Sequence, residues 1–288
     1  MILETDINWG FRAHDMGRLP AKELARKIAA KGFHNIQLAL HKAISGIDAA
    51  YGSLSPGMGQ LIASEFHKQE ITISVLGCYI NPVHLDREIR DTGLKRFVEH
   101  LTYCHDFGCS VVGTETGSPH PNGAYDKSIY TEELFQEFIT SLKILVEAAE
   151  KTGSIVAIEG VADKDSIHSH ERMQRTLEMI PSPNLGVIYD PVNFLPFKRA
   201  SESDDLMKEA FQMFGDKMVA IHAKDYILEE DRVNTTIPSG RGMLNYQLLV
   251  DLVREYKPMI PVLLENNTPE TIDGTIEFIN QFRRKNVC

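Results

Sequence analysis

Along the whole chain, short apolar segments rich in β-formers alternate with longer stretches of helical periodicity. The strand-like segments lie at 7–13 (INWGFRA), 35–40 (NIQLAL), 71–78 (ITISVLGC), 111–115 (VVGTE), 155–161 (IVAIEGV), 185–190 (LGVIYD), 218–224 (MVAIHAK) and 260–265 (IPVLLE). Between them the pattern predicts helices in AKELARKIAAKG, TGLKRFVEHLTYCHDFG, EELFQEFITSLKILVEAAEKTG, HERMQRTLEMI, SDDLMKEAFQMFG, YQLLVDLVREY and ETIDGTIEFINQFRRK. The clearest helix covers 131–153, where Leu134, Phe138, Leu142, Leu145 and Ala149 recur at three- and four-residue steps. Thr131, followed by Glu132 and Glu133, predicts a capped acidic start, and Gly153 after Lys151 a stop. Eight strand–helix units without a long linker predict one domain over residues 1–288, a (β/α)₈ TIM barrel. The competing open, doubly wound sheet usually carries a glycine-rich phosphate loop after its first strand. INWGFRAHDMG has no such loop.

Composition narrows the class of ligand. The 288 residues carry a formal net charge of −10, which disfavours nucleic acid, since that affinity rests on Lys and Arg neutralising phosphates. No apolar run approaches the roughly 18 residues of a membrane span, and MILETDINWG lacks the basic start and apolar core of a secretory signal. Cys78, Cys104, Cys109 and Cys288 show no CxxC pairing and read as reduced thiols of a cytoplasmic protein.

In a barrel, catalytic groups stand at the C-terminal ends of the strands, and alternate residues along each strand face the interior. Glu159, Asp190, His222 and Glu265 end the fifth to eighth strand segments. Counting back by twos from each meets only apolar or small residues: Ala157 and Ile155, Ile188 and Gly186, Ala220 and Met218, Leu263 and Pro261. Four consecutive units therefore aim three carboxylates and an imidazole at one place. Such a group repels itself unless some pKa values rise or a divalent cation sits among it. Three oxygen donors and one nitrogen suit Mn²⁺, Mg²⁺, Co²⁺ or Zn²⁺.

The stretches IEG, YDPVN, HAKD and LLEN resemble the strand-end motifs of the xylose-isomerase-like TIM barrels. That superfamily includes ketose 3-epimerases, hydroxypyruvate isomerase, inosose isomerases and dehydratases, and apurinic endonucleases of the same fold. The resemblance covers essentially the whole chain and is most specific over 155–265. It implies that Glu159, Asp190, His222 and Glu265 hold one metal ion, and that Glu159 and Glu265 also shuttle a proton on either face of a substrate carbon. The implied activity is isomerisation or epimerisation of a small sugar, ketose or polyol derivative by proton abstraction next to a carbonyl, through an enediolate. The alternatives are a metal-dependent dehydratase of a keto-inositol-like substrate, a non-catalytic sugar-binding barrel and an apurinic endonuclease. The superfamily also makes a homo-oligomer plausible.

Two positions depart from the family pattern. Asn193 stands where many relatives carry a histidine three residues after the strand-6 aspartate, and Leu228 where epimerases tend to carry an arginine. Lys224 shares the inward face of His222 and offers a replacement charge, with Asp225 as its expected partner. Arg12 and His14 at the first strand end, and Glu115 at the fourth, are further substrate-contact candidates. Arg241 in PSGRGMLNY is a candidate for a phosphate group. His168 and His170 in IHSHERM read as capping or surface residues. Trp9, Tyr79, Phe194 and Phe197 are candidate walls of a sugar site or plain packing.

Overall fold

A computed structural model of the chain describes residues 7–119 and 127–282. Cys288 and the last three residues of the expected C-terminal helix lie outside these. The eight expected strands form as β1 (Asn8–Arg12), β2 (Asn35–Leu38), β3 (Thr72–Gly77), β4 (Val111–Glu115), β5 (Ile155–Glu159), β6 (Leu185–Tyr189), β7 (Met218–Ala223) and, after a hairpin of β8 (Asp225–Leu228) and β9 (Val233–Ile237), β10 (Pro261–Leu264). The order β1-β10-β7-β6-β5-β4-β3-β2 closes on itself, and every pairing in the barrel is parallel. This is a (β/α)₈ barrel, and closure removes the exposed sheet edges that an open sheet would carry.

Outside the barrel run α1 (Ala21–Ala29), a one-turn α2 (Leu40–Ala43), α3 (Pro56–His67), α4 (Arg87–Tyr103), α5 (Glu132–Thr152), α6 (His170–Met179), α7 (Ser203–Phe214), α8 (Tyr246–Tyr256) and α9 (Ile272–Ile279). On α5 the expected face packs inward, with Phe138, Leu142, Leu145 and Ala149 buried. The Thr131 hydroxyl accepts from the Leu134 N–H, and Gly153 closes the helix at φ 70°. The left-handed conformation at that stop is one that glycine adopts without steric cost. α3 was not among the expected helices. Its sequence, PGMGQLIASEFH, carries two glycines that weaken helical propensity, but Ser55 caps it through the Met58 N–H and Pro56 begins it. α4 starts five residues before the expected segment because Asp86 accepts from the N–H groups of Glu88 and Ile89. The β8–β9 hairpin was also unexpected. It follows β7 directly, at the C-terminal end of the barrel.

The barrel interior is packed rather than hollow. A Cβ placed on Gly113 would lie 2.7 Å from Ile188 Cδ1 and 3.0 Å from Val75 Cγ1, so a side chain on β4 at this level would collide with β6 and β3. Among the described residues no helix is long and apolar enough to cross a membrane.

Candidate metal and proton-transfer site

The four strand-end residues converge at the C-terminal end of β5, β6, β7 and β10. Asp190 and His222 are fully buried, while Glu159 and Glu265 are 4% and 3% exposed. Glu159 and Glu265 reach the wall of a cavity of about 820 Å³ that occupies the barrel mouth; Asp190 and His222 lie behind that wall. β5 and β10 stand three places apart around the barrel, so the two glutamates approach the centre from facing sides. His222 Nδ1 lies 3.1 Å from Glu159 Oε2 and 3.1 Å from Glu265 Oε1.

Metal ligation fits this arrangement. Donor atoms of Glu159, Asp190 and His222 lie within 4.8 Å of one another. Asp190 Oδ2 and His222 Nδ1 are buried and have no well-aligned hydrogen bond; their close partners are ionic, Lys224 Nζ for the first and the Glu159 and Glu265 oxygens for the second. Their other atoms are fixed: Asp190 Oδ1 accepts from the N–H groups of Val192 and Asn193 at 2.8 and 2.9 Å, and His222 Nε2 lies 2.6 Å from Gln37 Oε1. A ligand histidine held through its second nitrogen is the usual arrangement around metals. Glu265 lies beside this trio rather than within it.

Lys224 joins the cluster as an internal cation, with Nζ 2.7 Å from Asp190 Oδ2 and 2.9 Å from Glu265 Oε2. Burial would lower its pKa, but the Asp190 and Glu265 carboxylates hold it above the ordinary lysine range. Burial would likewise lift the Glu265 pKa, yet Lys224, His222 and Arg12 (Nη1 at 3.3 Å) pull it below the ordinary range. The desolvation of Asp190 outweighs Lys224, so its pKa is raised. Burial alone would keep His222 neutral; Glu159 and Glu265 overcome it and push the pKa up to about 9.

The remaining expected residues divide. Asn193 donates through Nδ2 to Glu159 Oε1 at 2.7 Å. Glu115, whose backbone is in register with Glu159, lines the cavity and faces Lys164 at 3.6 Å. Asp225 does not pair with Lys224: its carboxylate accepts from the N–H groups of Tyr226, Gly240 and Leu244 and shapes the loop beyond the hairpin. Arg241 does not reach the cavity either; it is exposed, with its guanidinium beside Gly274 of α9. His14 is not among the residues that line the cavity; burial and the charges of Arg12 and Lys42 hold its pKa down to about 3. His170 is buried rather than at the surface, packed on Tyr189, Phe194 and Phe214 and bound to Glu209. His168 packs edge-on against Tyr130. Tyr79 and Phe197 line the cavity, whereas Trp9 and Phe194 belong to the core.

Sequence reasoning missed Gln37, whose amide donates to the Tyr79 hydroxyl at 2.8 Å while its oxygen contacts His222. A glutamine inside the apolar NIQLAL segment was the available signal. It also missed Arg232, which the β8–β9 hairpin places in the cavity wall while Leu228, at the family's arginine position, is 43% exposed.

A parallel eight-stranded barrel with acidic and histidine side chains gathered at its strand ends defines the class of protein. Residues 22–282 match the family model described as xylose isomerase-like TIM barrel, and the chain belongs to that family. It is 24% identical over 168 residues to a probable L-ribulose-5-phosphate 3-epimerase of Mycoplasma pneumoniae, covering 56% of this chain and 50% of that protein. The chain thus spans about half the length of this curated relative. Among solved structures it resembles a D-tagatose 3-epimerase-like protein (17% identity, TM-score 0.74, 96% of each chain) and a zinc-bound protein named IOLI (17% identity, TM-score 0.66, 96% of this chain and 94% of that one). At these identities the structural likeness concerns the fold.

Proposed function

We propose that this protein is a divalent-metal-dependent isomerase or epimerase of a small ketose or polyol derivative, working by proton transfer at a carbon next to a carbonyl. The observation that carries this is the placement of Glu159 and Glu265, which face one cavity from opposite sides above the buried Asp190 and His222. The ion would be held by Glu159, Asp190 and His222, with Glu265 alongside as a fourth donor. When bound, it would act as a Lewis acid on a carbonyl oxygen. The named activities of the family relatives, sugar epimerases among them, point the same way.

The chain's own residues do the rest. Lys224, His222 and Arg12 keep Glu265 ionised, so it stands as a carboxylate rather than a carboxylic acid on its side of the cavity. Asn193 orients Glu159 on the other side. A proton removed by one carboxylate and returned by the other, on the opposite face, inverts the carbon; return by the same carboxylate to the neighbouring carbon moves the carbonyl instead. Gln37 fixes the imidazole plane of His222.

The test is solvent deuterium exchange followed by NMR across a panel of ketoses, with manganese and after chelation. Exchange that requires the metal supports proton transfer next to a carbonyl. Its absence from the whole panel, with the metal shown to be bound, would sink the proposal.

A further inference from the structure

The cavity wall carries seven lysine or arginine side chains against five carboxylates, in a chain whose formal net charge is −10. Most of these cations are matched. Arg12 pairs with Asp15 and Glu265, Lys164 with Glu115, Lys224 with Asp190 and Glu265, Arg199 with Glu202, and Arg232 with Glu229. Among the described residues Lys42 and Lys198 have no carboxylate in ion-pair contact, and Lys42 stands apart from Lys198 in lying on an aromatic ring, its Nζ 3.9 Å from the centre of the Tyr79 ring.

The electrostatic surroundings of Lys42 are mixed. Partial burial and then the Arg12 charge lower the Lys42 pKa, with Glu115, Glu265 and Asp15 opposing. The adjacent His41 is held down by burial and by Arg96, Lys42 and Arg18. Arg96 itself donates to the Tyr79 carbonyl. A partly desolvated ammonium without an ion-pair partner is unfavourable until an anion joins it.

Tyr79 links this patch to the reacting centre. Its hydroxyl meets Gln37, which in turn contacts His222, while its ring face carries Lys42. A molecule reacting above Glu159 and Glu265, and lying along Tyr79, ends at Lys42.

We infer that Lys42, set against the Tyr79 ring in the cavity wall, forms an anion subsite, and that the substrate carries a phosphate or carboxylate remote from the carbons that react. This rests on the proposed ketose chemistry and narrows its substrate class. The experiment is isothermal titration calorimetry of the manganese-loaded full chain with two matched pairs: D-ribulose 5-phosphate against D-ribulose, and D-tagaturonate against D-tagatose.

The wild type is expected to bind one anionic sugar about tenfold or more tighter than its neutral partner, the order of one charge-assisted hydrogen bond. The pair that shows the preference tells phosphate from carboxylate. Lys42→Met should bring that ratio to within about twofold. Lys198→Met should leave it in place, because Lys198, also without an ion pair among the described residues, follows β6 on the opposite side of the barrel from β2.

Equal binding within both pairs, no measurable binding of either anion, or a preference that survives Lys42→Met overturns the subsite. Deuterium exchange into the neutral ketoses, read alongside, separates the two levels of the claim. Exchange with an unmoved ratio removes the subsite alone, whereas absence of exchange from every ketose removes the parent chemistry.

Discussion

Lys224→Met probes the electrostatic structure of the centre without touching the residues assigned to metal or proton. The ammonium makes contacts of 2.7 and 2.9 Å to Asp190 and Glu265, and all three groups are buried. Taking one partner from a buried, hydrogen-bonded ion cluster costs about 3–5 kcal/mol, because the remaining charges lose their compensation. The lower end is expected, since Asp190 already has a raised pKa from burial and can relieve the strain by taking up a proton. At roughly 2.1 cal/mol/K of unfolding entropy per residue, a chain of 288 residues then loses about 5 °C of Tm. The assay is thermal melting of chelator-treated protein, followed by circular dichroism at pH 8 and pH 5. The loss should be larger at pH 8, where the uncompensated carboxylates are charged, than at pH 5, where proton uptake removes the repulsion. Added manganese should raise the Tm of the variant more than that of the wild type, because a divalent charge substitutes for the missing ammonium. A variant that melts within about 1 °C of the wild type at pH 8, or that gains no more from manganese, would refute the reasoning.

Other outcomes follow from single contacts. Gln37→Leu removes the group that holds His222 through Nε2; manganese affinity measured by calorimetry should fall about 10- to 100-fold, and an unchanged affinity would show that Gln37 does not position the ligand. Asp165 is buried between the loops that follow β4 and β5, accepting from the Gly117 N–H and the Thr116 hydroxyl. Burial, and then the Glu115 charge, raise its pKa to about 7. A carboxylate raised in the folded state binds more protons there than in the unfolded chain, so its effect on stability worsens as pH climbs from about 4 towards 7. Asp165→Asn keeps an acceptor and removes that slope: relative to wild type it should gain about 3 kcal/mol between pH 4.5 and pH 8 in urea unfolding, and a pH-independent difference would contradict the assignment.

Much of this centre was legible because strand periodicity is simple. Once eight units were counted, the two-residue step placed Glu159, Asp190, His222 and Glu265 at strand ends with small or apolar residues beneath them, and the fold brings these four together. Asn193 stood out as a departure, and its contact with Glu159 gives it a place beside the centre. What stayed hidden lies in the loops. Asp225 is one residue beyond Lys224, but the chain turns into the β8–β9 hairpin there and the carboxylate caps backbone N–H groups instead. Arg241 looked placed for phosphate by its position after the seventh strand, yet that loop folds outward against α9. Lys42 carried no signal in sequence at all, because its meaning depends on the Tyr79 ring delivered from another strand end. Side-chain alternation fixes which way a strand residue points; no comparable rule fixes a loop.

The central claim is that Glu265 moves a proton above an ion that Glu159, Asp190 and His222 can hold. Manganese content and deuterium exchange into a responsive ketose, measured on the same sample of Glu265→Gln, test it most directly. The account predicts that the variant still binds one equivalent of manganese while exchange falls by about 10²- to 10⁴-fold, the range a positioned proton-transfer group supplies. Exchange at the wild-type rate in metal-loaded Glu265→Gln would contradict it.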